Sequence, residues 1–506
     1  MRTKKFIFNF LSSYFFYFIL AALGFLKVRF FISGLGENLF ALNQLYSNIF
    51  TYLTLSEAGV GIALISKLYK PLARNNNNEV NELYSEASYI FKRVAVLILA
   101  LSLLFSFFVG FLILDNNFDL LFLNVTFILF SLKSVIDYFF FAPRFVVEAN
   151  QKNYKINFRL YSFRIVEIIV EIILLSIGIN YIFILVPSIF IRIIQNVVVN
   201  KKIYKIYPWL SKVRVVNKKI KKEMGHLFIH RVVSLIENNI DIVILSTFAG
   251  YAFVATYSIY NYFTKYINDT IAQIFNAIKN PIGEIINKTN LDKLKIELKN
   301  IQVIFSFLAI FVVVTMYYIL SPFVNIWVGS AYSISNITLV LFLLIFYYKI
   351  TIRESMIISD AIGLFKDTKW VVAVSAVINL ILSLVLVSKF KINGVLFSTV
   401  ISNYLCNLVL LPIITYRNLK IKINFWYYRY HLINFLTILL VIFVINLFNL
   451  NKIFVTTSFI QWTFGSMIVA VITFVIVSSI FYFIHKSFRG IIVKIYKTIK
   501  NIFLKR

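Results

Sequence analysis

The chain has 506 residues, carries 51 Lys plus Arg against 21 Asp plus Glu for a formal net charge of +30, and is 60% hydrophobic. A soluble protein carries about a quarter charged residues, whereas this one carries 14%. The apolar content excludes a disordered basic tail, and a nucleic-acid binder would account for the charge but not for the hydrophobicity. The combination fits a polytopic membrane protein with its cations on one side of the bilayer.

A helix that crosses a bilayer needs about 20 mainly apolar residues. Fourteen stretches qualify in chain order: 8–31, 38–65, 93–114, 119–141, 160–178, 181–199, 227–249, 252–276, 301–326, 335–358, 370–388, 393–414, 431–449 and 458–484. Arg2, Lys4 and Lys5 precede the first run in the manner of a signal peptide. The run is long and lacks a small-x-small cleavage site, so it reads as an uncleaved first helix. The last stretch, 485–506, alternates bases with apolar residues at helical spacing and reads as an interfacial amphipathic helix.

With the N-terminus placed in the cytoplasm, the inside segments hold 39 Lys and Arg and the outside loops hold three, Lys389, Lys391 and Lys452. Cations concentrate on the cytoplasmic side of membrane proteins, so both termini are expected inside. The most basic loop, 201–226, divides the chain into an N-terminal six-helix bundle (1–200) and a C-terminal six-helix bundle (227–414), with helices 13 and 14 in 431–484 and a tail at 485–506. Its mixture of bases and aromatics suits anionic lipid head groups better than nucleic acid. Ser33, Phe40, Asn48, Phe50 and Thr51 recur 213 residues later as Ser246, Phe253, Asn261, Phe263 and Thr264. That offset spans six helices, and an even separation makes the halves parallel repeats related by a pseudo-twofold axis along the membrane normal.

Charges within the spans default to functional candidates. Lys133 with Asp137, Lys265 with Asp269, and Arg164 with Glu167 have the i,i+4 or i,i+3 spacing of ion pairs on one helix. Lys27, Arg29, Arg192, Arg231, Lys349 and Arg353 lack such partners; Arg353 has only Glu354 beside it. Lys27 and Arg29 can equally snorkel to the surface. Arg29, Arg192, Arg231, Lys349 and Arg353 are the candidate anion-binding residues, because cations gathered in a membrane call for a multivalent anion such as phosphate. Glu237, Asp241 and Asp269 are the candidate carboxylates for coupling to H+ or Na+. Cys406 is the only cysteine, and His226 and His230 stand outside any HExxH pattern, so no metal site or other cofactor is expected. There is no phosphate loop, and no extramembrane loop large enough for a catalytic constellation. A carrier is expected rather than an enzyme.

Three segments resemble a known family. Gly34–Ala73 (GLGENLFALNQLYSNIFTYLTLSEAGVGIALISKLYKPLA), Glu237–Phe263 and Ala361–Ser402 are similar to the helix 2, helix 7–8 and helix 10–12 regions of polysaccharide flippases, the Wzx-like branch of the multidrug/oligosaccharidyl-lipid/polysaccharide exporter superfamily. The resemblance implies an all-α integral membrane fold of about 14 transmembrane helices, two six-helix bundles plus helices 13 and 14, and alternating access. It also implies a cargo of oligosaccharide on undecaprenyl pyrophosphate for O-antigen or capsule assembly. The setting would be the bacterial plasma membrane, beside other polysaccharide-assembly membrane proteins and without nucleic acid. A drug or cation exporter of the same superfamily is the alternative, and a membrane polymerase a more distant one. The charge count predicts the topology: reporter fusions after residues 75, 212 and 490 should score cytoplasmic, and one after residue 452 should score external. An external signal at 212 would reverse the assignment.

Overall fold

The computed structural model describes residues 2–54, 60–114, 118–213, 240–288, 290–421, 425–448 and 458–494. It is helical throughout, with no strand among the described residues. Two compact units divide the chain, Met1–Ala255 and Thr256–Arg506.

The first unit contains α1 (Arg2–Leu53), α2 (Val60–Ala73), α3 (Asn77–Ser106), α4 (Leu120–Val135), α5 (Ala142–Ala149), α6 (Tyr154–Ser176), α7 (Tyr181–Ile206) and α8 (240–248). Helix α9 (Tyr251–Lys288) starts in it and continues into the second unit. The second unit then has α10 (Leu291–Trp327), α11 (Asn336–Thr351), α12 (Arg353–Ile362), α13 (Phe365–Ser402), α14 (Leu411–Asn418), α15 (Phe425–Leu447), α16 (Phe459–Ile484) and a helix over 486–494, α17.

Among the described residues these helices lie along the expected spans, most of the one expected at 227–249 falling outside them, and the differences have local causes. Gly36, at φ +84°, breaks α1 between the first and second spans. Without a Cβ, glycine adopts this left-handed region readily. Spans 11 and 12 form one long helix interrupted at Lys391, which also has a positive φ, and followed by a π-helical turn over Asn403–Leu410. Nine helices among the described residues are long and apolar enough to cross a membrane.

The faces confirm the medium. In α16 the buried positions are Gly465, Val469, Thr473, Val477 and Phe481, four residues apart, while Ile460, Phe464, Val471 and Val475 are exposed. Large apolar residues on the outer face, with Gly465 and Thr473 allowing close approach on the inner one, are the membrane arrangement, because lipid is as apolar as leucine and packing must come from close approach. Multiple apolar helices with such faces make this a multi-pass membrane protein.

In the first unit α1 packs along α6, α6 on α7, and α4 against α3 and α7. The α1–α6 approach is limited by Gly34: a Cβ there would stand 2.1 Å from the Leu175 carbonyl oxygen. In the second unit α10 carries α11, α15 and α16, and α12 lies against α14.

Two predictions follow from packing. Gly34→Ala forces α1 from α6 and should destabilise the protein by about 1–3 kcal/mol, the usual cost of overpacking, seen as a lower thermal-unfolding midpoint; an unchanged midpoint would refute the contact. His485, just beyond α16, stacks on Tyr430 at 5.2 Å and is buried near Lys299. Burial, aided by that lysine, pushes its pKa down to about 4. The folded protein therefore binds this proton less readily than the unfolded chain. The stability it contributes is complete above the ordinary histidine pKa of about 6.5 and is lost as pH falls from there to about 4. The midpoint should drop across that window, and His485→Phe should flatten the drop.

Candidate functional site

The first unit encloses a chain of six charges drawn from four helices and a 3-10 turn. Lys27 of α1 pairs with Glu171 of α6 at 2.7 Å. Glu171 also meets Lys133 of α4, and Lys133 pairs with Glu167 of α6 at 2.9 Å. Glu167 meets Arg192 of α7 at 2.7 Å, and Arg192 pairs with Asp137, in the 3-10 turn Ile136–Phe139, at 2.9 Å. The signs alternate along the whole chain. Such alternation is what a low-dielectric interior demands, since an uncompensated ion there costs several kcal/mol.

Neutral groups complete the carboxylates. Ser188 donates to Glu171 at 2.8 Å, and Asn196 donates to Asp137 at 2.7 Å. Arg144 of α5 donates to the Asn196 side-chain oxygen, so it reaches Asp137 through an amide. Its guanidinium also lies 5.3 Å from the Phe141 ring.

At one end the chain opens into a cavity of about 220 Å³ lined by Lys27, Lys133, Glu171, Asn43, Gln44, Ser47, Tyr181 and the apolar Phe31, Phe130, Ile184 and Leu185. The break at Gly36 lets one helix contribute to this wall from both sides, with Lys27 before it and Asn43, Gln44 and Ser47 after it. Tyr181 donates to Asn43 at 2.8 Å and fixes that edge. The Lys27 side chain is 30% exposed, against 3% for Glu171; the cation is the member of this pair that a ligand can reach.

The expected one-helix pairs are replaced by pairs between helices. Lys133 and Asp137 do not pair, because α4 tightens into a 3-10 turn after Val135, and three residues per turn no longer bring i and i+4 onto one face. Glu167 turns to Lys133 and Arg192 rather than to Arg164. Arg164 forms no ion pair within 4 Å among the described residues, although Arg192, Glu167, Asp137 and Glu171 all act on it electrostatically. Lys265 and Asp269 form no such pair either; Lys265 is exposed and Asp269 instead lies within electrostatic reach of Arg353.

The expected anion-binding residues therefore separate. Arg192 is not an unpartnered cation: two carboxylates neutralise it. Arg29 is on the exposed face of α1. Lys349 is half-buried in the last turn of α11. Arg353 donates to Asn268 of α9 at 3.1 Å and lies 5.8 Å over Phe275. Asp241 is buried on α8, close enough to Tyr52 to act on it electrostatically. Arg231 and Glu237 lie outside the described residues, as do His226 and His230. Among the described residues no cluster of His, Cys, Asp and Glu could hold a metal ion.

Glu171, Arg144 and Asn196 were not among the sequence candidates. For Glu171 a signal existed: it lies i,i+4 from Glu167 in a span with no cation at matching spacing after it. For Arg144 and Asn196 there was none, since their roles arise from the crossing of α5 and α7.

No family model matches this chain, and no curated protein does. Solved structures do. It resembles lipid II flippase MurJ in an inward closed conformation with a TM-score of 0.70 at 17% identity, over 94% of this chain and 99% of that one. It resembles an inward-facing multidrug resistance MATE family transporter of the MOP superfamily at 0.63 and 15% identity, over 79% and 94%. An outward-facing MATE family transporter follows at 0.55 and 14%, over 82% and 96%. The fold is the one shared by this flippase and these exporters.

Removing one member of a buried ion pair strands the other, at a cost of about 3–5 kcal/mol. Glu171→Ala should therefore destabilise the protein severely, and Glu171→Ala with Lys133→Ala by less than the sum of the single changes. Additive losses in thermal or denaturant unfolding would show that the two do not interact.

Proposed function

We propose that this protein is a flippase for an oligosaccharide carried on a polyprenyl pyrophosphate, moved from the inner to the outer leaflet by alternating access for surface polysaccharide assembly. The observation that carries this reading is the charge balance of the first unit. Three carboxylates, Asp137, Glu167 and Glu171, face five cations, Lys27, Lys133, Arg144, Arg164 and Arg192. Lys27, Lys133 and Arg192 are matched one for one; Arg144 and Arg164 are in excess. Surplus guanidinium in a low-dielectric setting favours an anion with several oxygens, and pyrophosphate offers the fork geometry that arginine recognises.

The fold supports a carrier, and the absence of any large extramembrane loop in the sequence supports it over a polymerase. A drug exporter shares the fold, but a cationic drug would be repelled by the surplus. In this reading Arg29 and Arg231 are further contacts for the anionic head group, and Lys349 and Arg353 are anion-binding candidates of the second unit in their own right. Asp241, Asp269 or Glu237 would couple the cycle to H+ or Na+. The cation bias of the loops supports a cytoplasmic position for both termini, and the proposed cargo implies a bacterial plasma membrane.

The test is a strain lacking this protein. Lipid-linked repeat units should accumulate on the inner leaflet, and sensitivity to cationic drugs should not change. Normal export, or drug hypersensitivity alone, would overturn the proposal. Arg144→Ala with Arg164→Ala should lower complementation at least about tenfold at normal expression, because a charge-assisted contact contributes about 1.5–3 kcal/mol. Full complementation would remove those two residues from the site.

A further inference from the structure

The second unit buries a carboxyl, Glu354, with no cation in ion-pair contact among the described residues. Glu354, at the first turn of α12, is 1% exposed. Its hydrogen-bond partner is the hydroxyl of Tyr416 on α14, which donates to Oε1. The adjacent Arg353 turns the other way, to Asn268 and over Phe275. Successive residues on a helix point about 100° apart, so sequence neighbours do not neutralise each other.

The other groups around Glu354 are neutral. Tyr427 of α15 is the next ring beyond Tyr416, 5.9 Å between centroids. His431 stands 5.3 Å from Tyr427 and bonds the Tyr347 hydroxyl of α11 at 2.9 Å. Helices α10, α11 and α13 also pack against α12, and among the described residues none of them brings a charged side chain within ion-pair distance of this carboxyl.

An isolated carboxylate in such surroundings has lost its hydration without gaining a counter-ion, and a group so placed takes up a proton instead. One backbone irregularity borders the contact: the π-helical turn Asn403–Leu410 leads directly into α14. Irregular turns inside membrane helices mark places where packing can change.

We propose that Glu354 is a proton-binding site, held as a carboxylic acid against Tyr416 in this conformation and exchanging its proton with water when α12 and α14 part. This site is separate from the ion pairs of the first unit and does not depend on the identity of the cargo.

The test is infrared spectroscopy of the purified full-length protein in nanodiscs at neutral pH. A protonated-carboxyl C=O band should be present and should be missing from Glu354→Gln, a near-isostere that keeps the hydrogen bond. In Tyr416→Phe the band should persist and move to higher wavenumber, because a donor to the carbonyl oxygen has been removed. In D2O the band should shift within minutes of exposure. No difference between wild type and Glu354→Gln would show the group is ionised and overturn the proposal. A band that never exchanges in D2O would make it a sealed structural acid and overturn the proposal as well.

Discussion

Charge neutrality in a medium that cannot solvate ions is the constraint on which this structure rests. Six charges from α1, α4, α6, α7 and the turn after α4 lie in one alternating chain, and each sign is answered by the opposite sign on a neighbouring helix. The pairing ties helices that have little else to hold them, since apolar contact in lipid supplies no net hydrophobic drive. It also makes the helices mutually dependent: a shift of α6 alone would separate Glu167 and Glu171 from Lys27, Lys133 and Arg192.

The two units meet the same constraint by different means. The first uses ion pairs and keeps Lys27 partly open to a polar cavity. The second uses neutral hydrogen bonds: Asn434 donates to Ser306 and to Tyr347 at 2.9 Å each, Tyr347 meets His431, and Tyr416 donates to Glu354. Ion pairs fix geometry while remaining charged. A phenol–carboxyl contact can change its charge by one proton, which makes the second unit the chemically adjustable one.

Much of the fold was legible in the sequence because span length and cation bias are set by the bilayer, not by tertiary detail. The partner of each charge was not. Arg192 was readable as a mid-membrane cation, but Asp137 and Glu167 reach it from other helices, and spacing along one chain carries no information on helix crossing. The apparent Lys133–Asp137 pair assumed an α-helix where the backbone tightens to a 3-10 turn. Glu354 was masked by Arg353 beside it, although adjacent residues on a helix face different neighbours. Sequence spacing thus located the charges and misassigned their compensation.

That distinction bears on how an anionic cargo would be gripped and released. A cation already matched by a carboxylate gains little from a phosphate, because the new attraction is offset by the ligand's repulsion from the carboxylate. Lys27, Lys133 and Arg192 are matched in this way, so their contribution is to hold α1, α4, α6 and α7 in register. The net attraction then falls to Arg164, which has no ion pair within 4 Å among the described residues, and to Arg144, whose side-chain hydrogen-bond partner is the neutral amide of Asn196. Under the proposed function, two surplus charges would attract a pyrophosphate without enclosing it. A carrier needs that intermediate strength, since a cage of five free cations would bind the head group too tightly to let it leave.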